Sequence, residues 1–460
     1  MPVAPEETPM RVLVLGAGYA GVALTRKLER TLDDDVDLVV VDDTGTHVVQ
    51  HEVHRVIRKP QVADHITLDL ADVFDRAEVR EGTVVDVDAD ANEVTLADGA
   101  VLSYDVGAVC LGSETAYYDL PGVREHAIPC KRVSHAERIR ESVLNAIDAS
   151  GRAIVGGAGL SGIQVAGELA ALRDEHDRQK RPEEGEPADL EDITAPIEIS
   201  VDGDGEDADR DDGVDRDDAA RDDGDDAAGH DDAARDGGDD APSSDRELSV
   251  TLLEMESTVA PGFPENFQTA VRETLVEAGV DVRTNAAVAE ATADAVALAD
   301  GTRIEYDTFV WTGGITGAEA TDGDRIDARA DLRVGGDTFV VGDAGRVVDA
   351  DGEAVPASAQ SAIREARIAA ANVAKLVEHR RRDDPGAFEP RLDRFDFDSP
   401  GWLVSIGNDA VAQVGPTVLT GRAAVALKAS VGAGYLSGIG ELRNATDLVN
   451  DELGLDPGTD

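Results

Sequence analysis

Two segments of this chain, Gly16-Ala17-Gly18-Tyr19-Ala20-Gly21 and Gly157-Ala158-Gly159-Leu160-Ser161-Gly162, share one glycine spacing, and each directly follows an apolar run, Val12–Leu15 and Ala153–Val155. In that spacing the first glycine makes a strand-to-helix turn, the second lets backbone approach a pyrophosphate, and the third packs helix on strand. The helix N–H groups are left facing phosphate. A lone match is imitated by Gly-rich turns in many α/β domains. Two, each leading to an acidic residue at a strand end, predict an α/β chain that binds two dinucleotides.

Val36–Val41 reads as the second strand of the first unit, and Asp42 at its end stands 21 residues after Gly21, where a ribose-binding carboxylate belongs. Short runs at Thr83–Val87, Glu93–Leu96 and Val106–Leu111, separated by Asp-rich turns, then predict a β-meander. A second unit opens at Arg152. Its helix runs to about Arg178, but the partner strand, Leu248–Leu253, follows a long insert, so the acidic candidate Glu254 stands 92 residues after Gly162. Inside the insert, Asp217–Ala227 and Asp231–Ala241 repeat one Asp- and Ala-rich pattern. With almost nothing there to form a core, about 181–246 is expected to be disordered. Gly279–Arg283, Ala295–Ala299 and Thr308–Trp311 recapitulate the first meander. Phe339–Asp343 reads as a strand closing on a Gly-Asp pair, and a helix is expected from about Ser358 to Glu378. The expected architecture is two Rossmann-like domains with β-meanders, the second inserted in the first: 1–145, 146–314 and 315–390, with a C-terminal α+β region at 391–460.

The formal charge is −54, from 96 acidic and 42 basic residues. Residues 202–240 account for −15, so −39 belongs to the rest of the chain, which has only six lysines in all. Such a surface repels itself at low salt, whereas near 1 M salt the Debye length falls to about 3 Å. A salt-rich cytoplasm is the expectation, and nucleic acid is excluded as a partner because phosphate binding needs clustered Lys and Arg. Cys110 and Cys130, the two cysteines, stand in neither a CxxC nor a metal spacing, in keeping with a reducing compartment. Met1–Met10 is acidic rather than basic, so the apolar run after it reads as a strand and not a signal peptide. No uncharged apolar stretch approaches the roughly 18 residues of a membrane span. His47, His51 and His54 lack the HExxH spacing and read as a lining of the first domain; no metal is expected.

Taken together, these residues resemble the two-dinucleotide-binding-domain flavoproteins of the pyridine nucleotide-disulfide oxidoreductase superfamily, and within them the type II NADH:quinone oxidoreductases. Beyond the paired fingerprints, the resemblance is carried by Cys110-Leu111-Gly112-Ser113 at the family's Ala-Thr-Gly turn and by a matching turn, Trp311-Thr312-Gly313-Gly314. Tyr118–Val123 with Ala127–Lys131 is similar to the segment crossing between the domains. Gly342-Asp343, Ala359-Gln360-Ser361-Ala362 and Gly421–Lys428 match later motifs. The resemblance implies FAD on the first fingerprint, with Asp42 on its adenosine ribose, Val85 near adenine, Cys110 and Gly112 in the adjoining turn, and Asp343 on the ribityl chain. It implies NADH on the second fingerprint, with Glu254 on the ribose and Gly313 and Gly314 in the returning turn. It further implies electron transfer from NADH through FAD to a membrane quinone.

For the quinone side, the resemblance points to Ala359 and Gln360 beside the flavin ring, although a polar contact at the helix N-terminus is an equal reading of Gln360. Lys428 reads either as polarising a quinone oxygen or anionic flavin, or as a snorkelling helix lysine. Gln164 stands where the family commonly has Glu, and Gln relays no proton. The redox CxxxxC pair of the disulfide reductases and the late cysteines of sulfide:quinone oxidoreductases are both missing. Sulfide:quinone or ferredoxin reductase chemistry, or a low-turnover NADH-sensing flavoprotein, is the alternative. Peripheral contact with the cytoplasmic face of the membrane and homodimerisation are the remaining expectations.

Overall fold

Val12, Leu13, Val14 and Leu15 are all buried, as an unbroken apolar run requires when helices cover both faces of a parallel strand. In the computed structural model, which describes residues 9–180, 247–382, 388–399 and 401–453, this run is the centre of a six-stranded sheet. Arg11–Leu15 pairs in parallel with Asp37–Asp42 on one side and Val106–Val109 on the other. Glu78–Glu81 lies outside the former and Thr338–Val340 outside the latter, with Arg333–Gly335 antiparallel at the far edge. The late strand therefore returns to the first sheet across a long stretch of chain, which makes the second unit an insertion. The acidic insert expected at about 181–246 lies outside the described residues.

The second sheet repeats the plan. Arg152–Gly156 pairs in parallel with Ser249–Leu253 and Thr308–Trp311, flanked by Val280–Arg283 and Ile128–Pro129. Ile128–Pro129 joins this sheet by pairing with Thr308–Trp311. Each unit also carries an antiparallel three-stranded meander: Val84–Asp88, Glu93–Leu96 and Val101–Ser103 in the first, and Val288–Ala291, Ala295–Leu298 and Arg303–Glu305 in the second. Val106–Leu111, read from sequence as meander, instead supplies a strand of the parallel sheet. Its residues Val106–Val109 are buried throughout, without the alternation of a half-exposed strand.

The C-terminal region is a three-stranded antiparallel sheet, Gly401–Ile406, Asp409–Val414 and Thr417–Thr420, followed by helices Gly421–Gly438 and Leu442–Leu453. Its hairpin turn sits on the second fingerprint helix, Leu160–Lys180, at Gly167. A Cβ there would come within 2.6 Å of both Gly407 N and Ile406 Cα. Ala normally stabilises a helix interior over Gly by about 1 kcal/mol, but here the added methyl meets backbone that must shift. Gly167→Ala is therefore expected to destabilise the protein by roughly 1–3 kcal/mol, read as a lower urea midpoint with an unchanged slope at constant KCl.

Candidate functional site

Both glycine loops are built around the same close contacts. Gly16 has φ +92°, and a Cβ on it would lie 2.5 Å from the Cys110 carbonyl oxygen; Gly157 has φ +98°, and its Cβ would lie 2.7 Å from Gly313 Cα. A side chain on Gly21 would overlap the Gly16 carbonyl, and one on Gly162 the Gly157 carbonyl. The turns named from sequence, Cys110–Gly112 and Trp311–Gly314, thus press on the first and second loops respectively, with Thr312 Oγ1 donating to the Gly156 and Gly157 carbonyls at 3.0 and 2.9 Å. Gly18 and Gly159 have no other heavy atom within 4 Å of a built Cβ. Gly18 caps Tyr19–Glu29 without a side-chain bond. Ser161 is exposed, Leu160 half-buried, and Ala17 and Ala20 are buried. An open middle glycine before a helix whose first N–H groups lack a side-chain cap fits a diphosphate.

The two acidic residues do more than the sequence predicts. Asp42 Oδ2 accepts from Ala17 N at 2.9 Å, and Oδ1 accepts from Thr44 N, Thr44 Oγ1 and Gly45 N at 2.9–3.1 Å. Glu254 Oε2 accepts from Ala158 N at 2.7 Å, and Oε1 from Glu256 N at 3.0 Å. Each buried carboxylate therefore braces the loop of its own unit, and acceptor capacity remains on both for a ribose.

The first site alone has a further wall, the single turn Gly342–Ala344. Space at Gly342 is closed by Ala20 and Ala362, whose Cβ atoms would lie 3.1 Å from an added one, so the turn is wedged between the fingerprint helix and Ala359–Arg381. Ser113 Oγ donates to Asp343 Oδ2 at 3.1 Å, and Lys131 Nζ donates to Ser113 O and Oγ at 2.8 and 2.7 Å. Arg325 donates to the Asp343 and Gly345 carbonyls. Glu365 Oε2 accepts from Gly342 N at 2.6 Å. Sequence reasoning found Asp343 but missed Arg325 and Glu365. The signal for Glu365 was a carboxylate on the buried stripe Ala362, Ala366, Ala369, Val373.

Next to the first loop, His47 Nδ1 donates to Ala17 O at 2.8 Å and its Nε2 accepts from Tyr435 Oη at 2.8 Å, while His51 Nδ1 meets Tyr19 Oη. His54 Nε2 reaches Ser405 Oγ at 2.7 Å, and Gln164 Nε2 donates to the same hydroxyl at 3.4 Å. Gln164 thus faces the C-terminal sheet. Lys428 is buried, with Nζ 3.1 Å from Glu52 Oε2 and 3.0 Å from Glu452 Oε1, which favours a structural ion pair over a snorkelling side chain. Burial raises the Glu52 carboxyl, but Lys428, His51, Arg55 and His54 outweigh it and hold it below the ordinary carboxylate range. Gln360 is half-buried in the first turn of its helix, and the cap there is Ser358, whose Oγ accepts from Ser361 N. Val85 is exposed where the meander register shifts between Val84 and Asp86.

Residues 10–366 match the family of pyridine nucleotide-disulphide oxidoreductases. The chain belongs to this family. It is 27% identical over 166 residues to the NADH dehydrogenase-like protein YutJ of Bacillus subtilis, covering 36% of this chain and 46% of that protein. It therefore spans less than half of that relative's length. Similarity to a type II NADH:quinone oxidoreductase of Staphylococcus epidermidis is 22% over 445 residues, 91% of this chain and 93% of that one. In fold it is similar to NDH2 of Plasmodium falciparum in complex with NADH, with TM-score 0.70, 13% identity and coverage of 96% and 98% of the two chains.

As a pyridine nucleotide-disulphide oxidoreductase the chain departs from the family's name, for both of its cysteines are free. Burial, with Glu365 nearby, pushes the Cys110 thiol far up, and burial pushes Cys130 up to about 12. Neither is a thiolate at neutral pH. Truncating the Lys428 ammonium leaves Arg55 as the one permanent cation on Glu52 among the described residues, and Lys428→Met is expected to cost about 3–5 kcal/mol in denaturant melts. For His47, burial outweighs the Ala17 hydrogen bond and Asp42, drawing its pKa down to about 4 from about 6.5. The unfolded chain then binds the proton first as pH falls, so this contribution to stability is complete above pH 6.5 and lost on descent toward pH 4. His47→Gln is expected to flatten the stability profile between those values, measured by thermal melts at constant ionic strength.

Proposed function

We propose that this chain is an FAD-dependent NADH dehydrogenase that passes electrons to a quinone. One observation carries the reading: two glycine loops, each braced by its own carboxylate, in a chain whose two cysteines are free, Cys110 buried and Cys130 partly so, with both thiols held protonated. Two dinucleotides without a redox disulfide send electrons to an external acceptor. The similarity over 445 residues to an enzyme named for NADH and quinone supports that acceptor.

The first loop, Gly16–Gly21, would hold the FAD diphosphate, Asp42 its ribose, Val85 the adenine side, and Asp343 its ribityl chain; the second, Gly157–Gly162, would hold NADH, with Glu254 on its ribose and Gly313 and Gly314 behind it. Bound FAD would supply the redox chemistry, accepting hydride from NADH and returning electrons to the acceptor. The protein's part is positioning. Pressure of Trp311–Gly314 on the second loop fixes the approach of the nicotinamide side, while Gln360, at the start of Ala359–Arg381, offers an amide to a flavin or quinone carbonyl. Gln164 serves position rather than proton transfer. Among the described residues no helix is long and apolar enough to cross a membrane; we assign the quinone encounter to peripheral contact at the cytoplasmic face, with a homodimer as a compatible assembly.

Purification in molar KCl is expected to give a yellow protein, bleached by NADH and reoxidised by a short-chain quinone. Bleaching without reoxidation would overturn the quinone reading. Glu254, in holding ribose hydroxyls, also repels a 2′-phosphate. Glu254→Gln is therefore expected to lower the ratio of kcat/KM for NADH over NADPH by roughly tenfold or more, measured by stopped-flow bleaching.

A further inference from the structure

The turn Gly342–Ala344 is held from two sides that differ in charge compensation. On the Asp343 side chain, Ser113 and, through it, Lys131 supply donors and a positive charge. On the amide of Gly342, the partner is Glu365, 2% exposed, its Oε2 2.6 Å from the nitrogen. Arg325 is directed elsewhere, onto the Asp343 and Gly345 carbonyls, and among the described residues no cation forms an ion pair with Glu365. The other groups facing it are Asp343 on the turn and the buried thiol of Cys110 at the end of Val106–Val109. The fingerprint helix adds only the methyl of Ala20 against Gly342. A buried carboxyl that accepts one N–H and has no counter-ion is held more readily neutral than ionised.

We propose that Glu365 is a proton-linked clamp on the flavin: neutral, it holds Gly342 through the N–H bond without placing charge behind the turn, whereas ionised it sets an uncompensated charge there that repels the dinucleotide's phosphates and releases FAD faster. The inference rests on the assignment of FAD to the first loop. Burial, aided by Asp343 and opposed by the Gly342 hydrogen bond and Arg325, pushes the Glu365 carboxyl up to about 8. The dinucleotide's own negative charge acts in the same direction, so FAD binding and protonation of Glu365 favour each other. Linkage then fixes the sign. Retention is constant below pH 8 and weakens above it, by at most about tenfold per pH unit.

The test uses the full-length flavoprotein in molar KCl, moved from pH 7 into buffers between pH 6.5 and 9.5, with release read from the fluorescence of freed FAD. Release is expected to be flat to about pH 8 and then to accelerate. Glu365→Gln, whose amide oxygen accepts the same N–H without charge, is expected to stay at the low-pH rate throughout. A purely structural Glu365 would instead give a variant that loses flavin faster at every pH. Wild type with a flat profile, or Glu365→Gln with the wild-type slope, overturns the proposal. Should that variant not fold, FAD release from the wild type at pH 8.5 in weak buffer with an indicator dye replaces it: liberation of up to one proton per flavin is expected, and none overturns the clamp. A protein that takes up no FAD overturns the flavin assignment together with the clamp, while a yellow protein with pH-independent retention overturns the clamp alone.

Discussion

Both halves of the molecule depend on one hydrogen bond, from the amide of the residue after the first loop glycine to a carboxylate at the end of the neighbouring strand: Ala17 to Asp42 and Ala158 to Glu254. It joins the loop between the first strand and its helix to the tip of the second strand, so the parallel register of Arg11–Leu15 with Asp37–Asp42 and of Arg152–Gly156 with Ser249–Leu253 ends in a fixed loop. A charge-assisted bond of this kind is about twice as strong as a neutral one, and it holds the loop open before any ligand arrives. An acid that would otherwise be read only as a ribose contact is thus part of the frame. The same carboxylate orients the loop and keeps lone pairs free beside it.

The C-terminal region is tied to this frame by charge as well as by apolar packing. Arg55 meets Glu52, Asp451 and Glu452 at 2.6–3.0 Å, and Arg58 meets Glu168 and Glu175 at 2.7 and 2.8 Å with Asn408 on the same guanidinium. Arg58 thereby links the 3-10 helix Gln50–Ile57, at whose end it sits, with the second fingerprint helix and the C-terminal hairpin. In a chain of net charge −54, most exposed attractions fade once salt shortens the Debye length to a few ångströms. Buried pairs at contact distance are screened far less, though they carry a desolvation cost. Attachment by buried arginines is therefore less sensitive to ionic strength than the exposed pairs are.

Much of the fold was legible because it rests on local rules. Glycine spacing, strand-end acids and Asp-Gly turns each act within a few residues, so Gly16–Gly21, Asp42, Gly157–Gly162 and Glu254 could be found even across the insert. What stayed hidden was non-local. Ile128–Pro129 is too short to show as a strand and becomes one only by pairing with Thr308–Trp311. Val106–Val109 follows three meander strands in sequence, yet belongs beside Arg11–Leu15. Lys428 reads from sequence as either a site lysine or a snorkelling one because its motif, Gly421–Lys428, contains neither of its partners; Glu52 and Glu452 lie outside it. Glu365 was passed over because a single carboxylate among alanines carries no spacing signal, and its meaning comes from Gly342, 23 residues away.

The two loops, alike in their glycines and their acids, differ in what faces them. The first is walled by the Gly342–Ala344 turn, which is wedged between two helices and held at its backbone by Glu365 and Arg325 and at its side chain by Ser113. The turn beside the second, Trp311–Gly314, touches the loop through Thr312 but is itself the strand end that runs back to the first domain. A ligand held between a loop and an independently anchored wall must wait for the wall to move before it leaves; one held by a loop alone leaves when its own contacts break. Under the proposed assignment, retention in the first site would follow from the stability of a buried turn, and exchange in the second from the ligand's own contacts. That division follows from one short segment, Gly342–Ala344, which the late return of the chain to the first sheet brings to one site and not to the other.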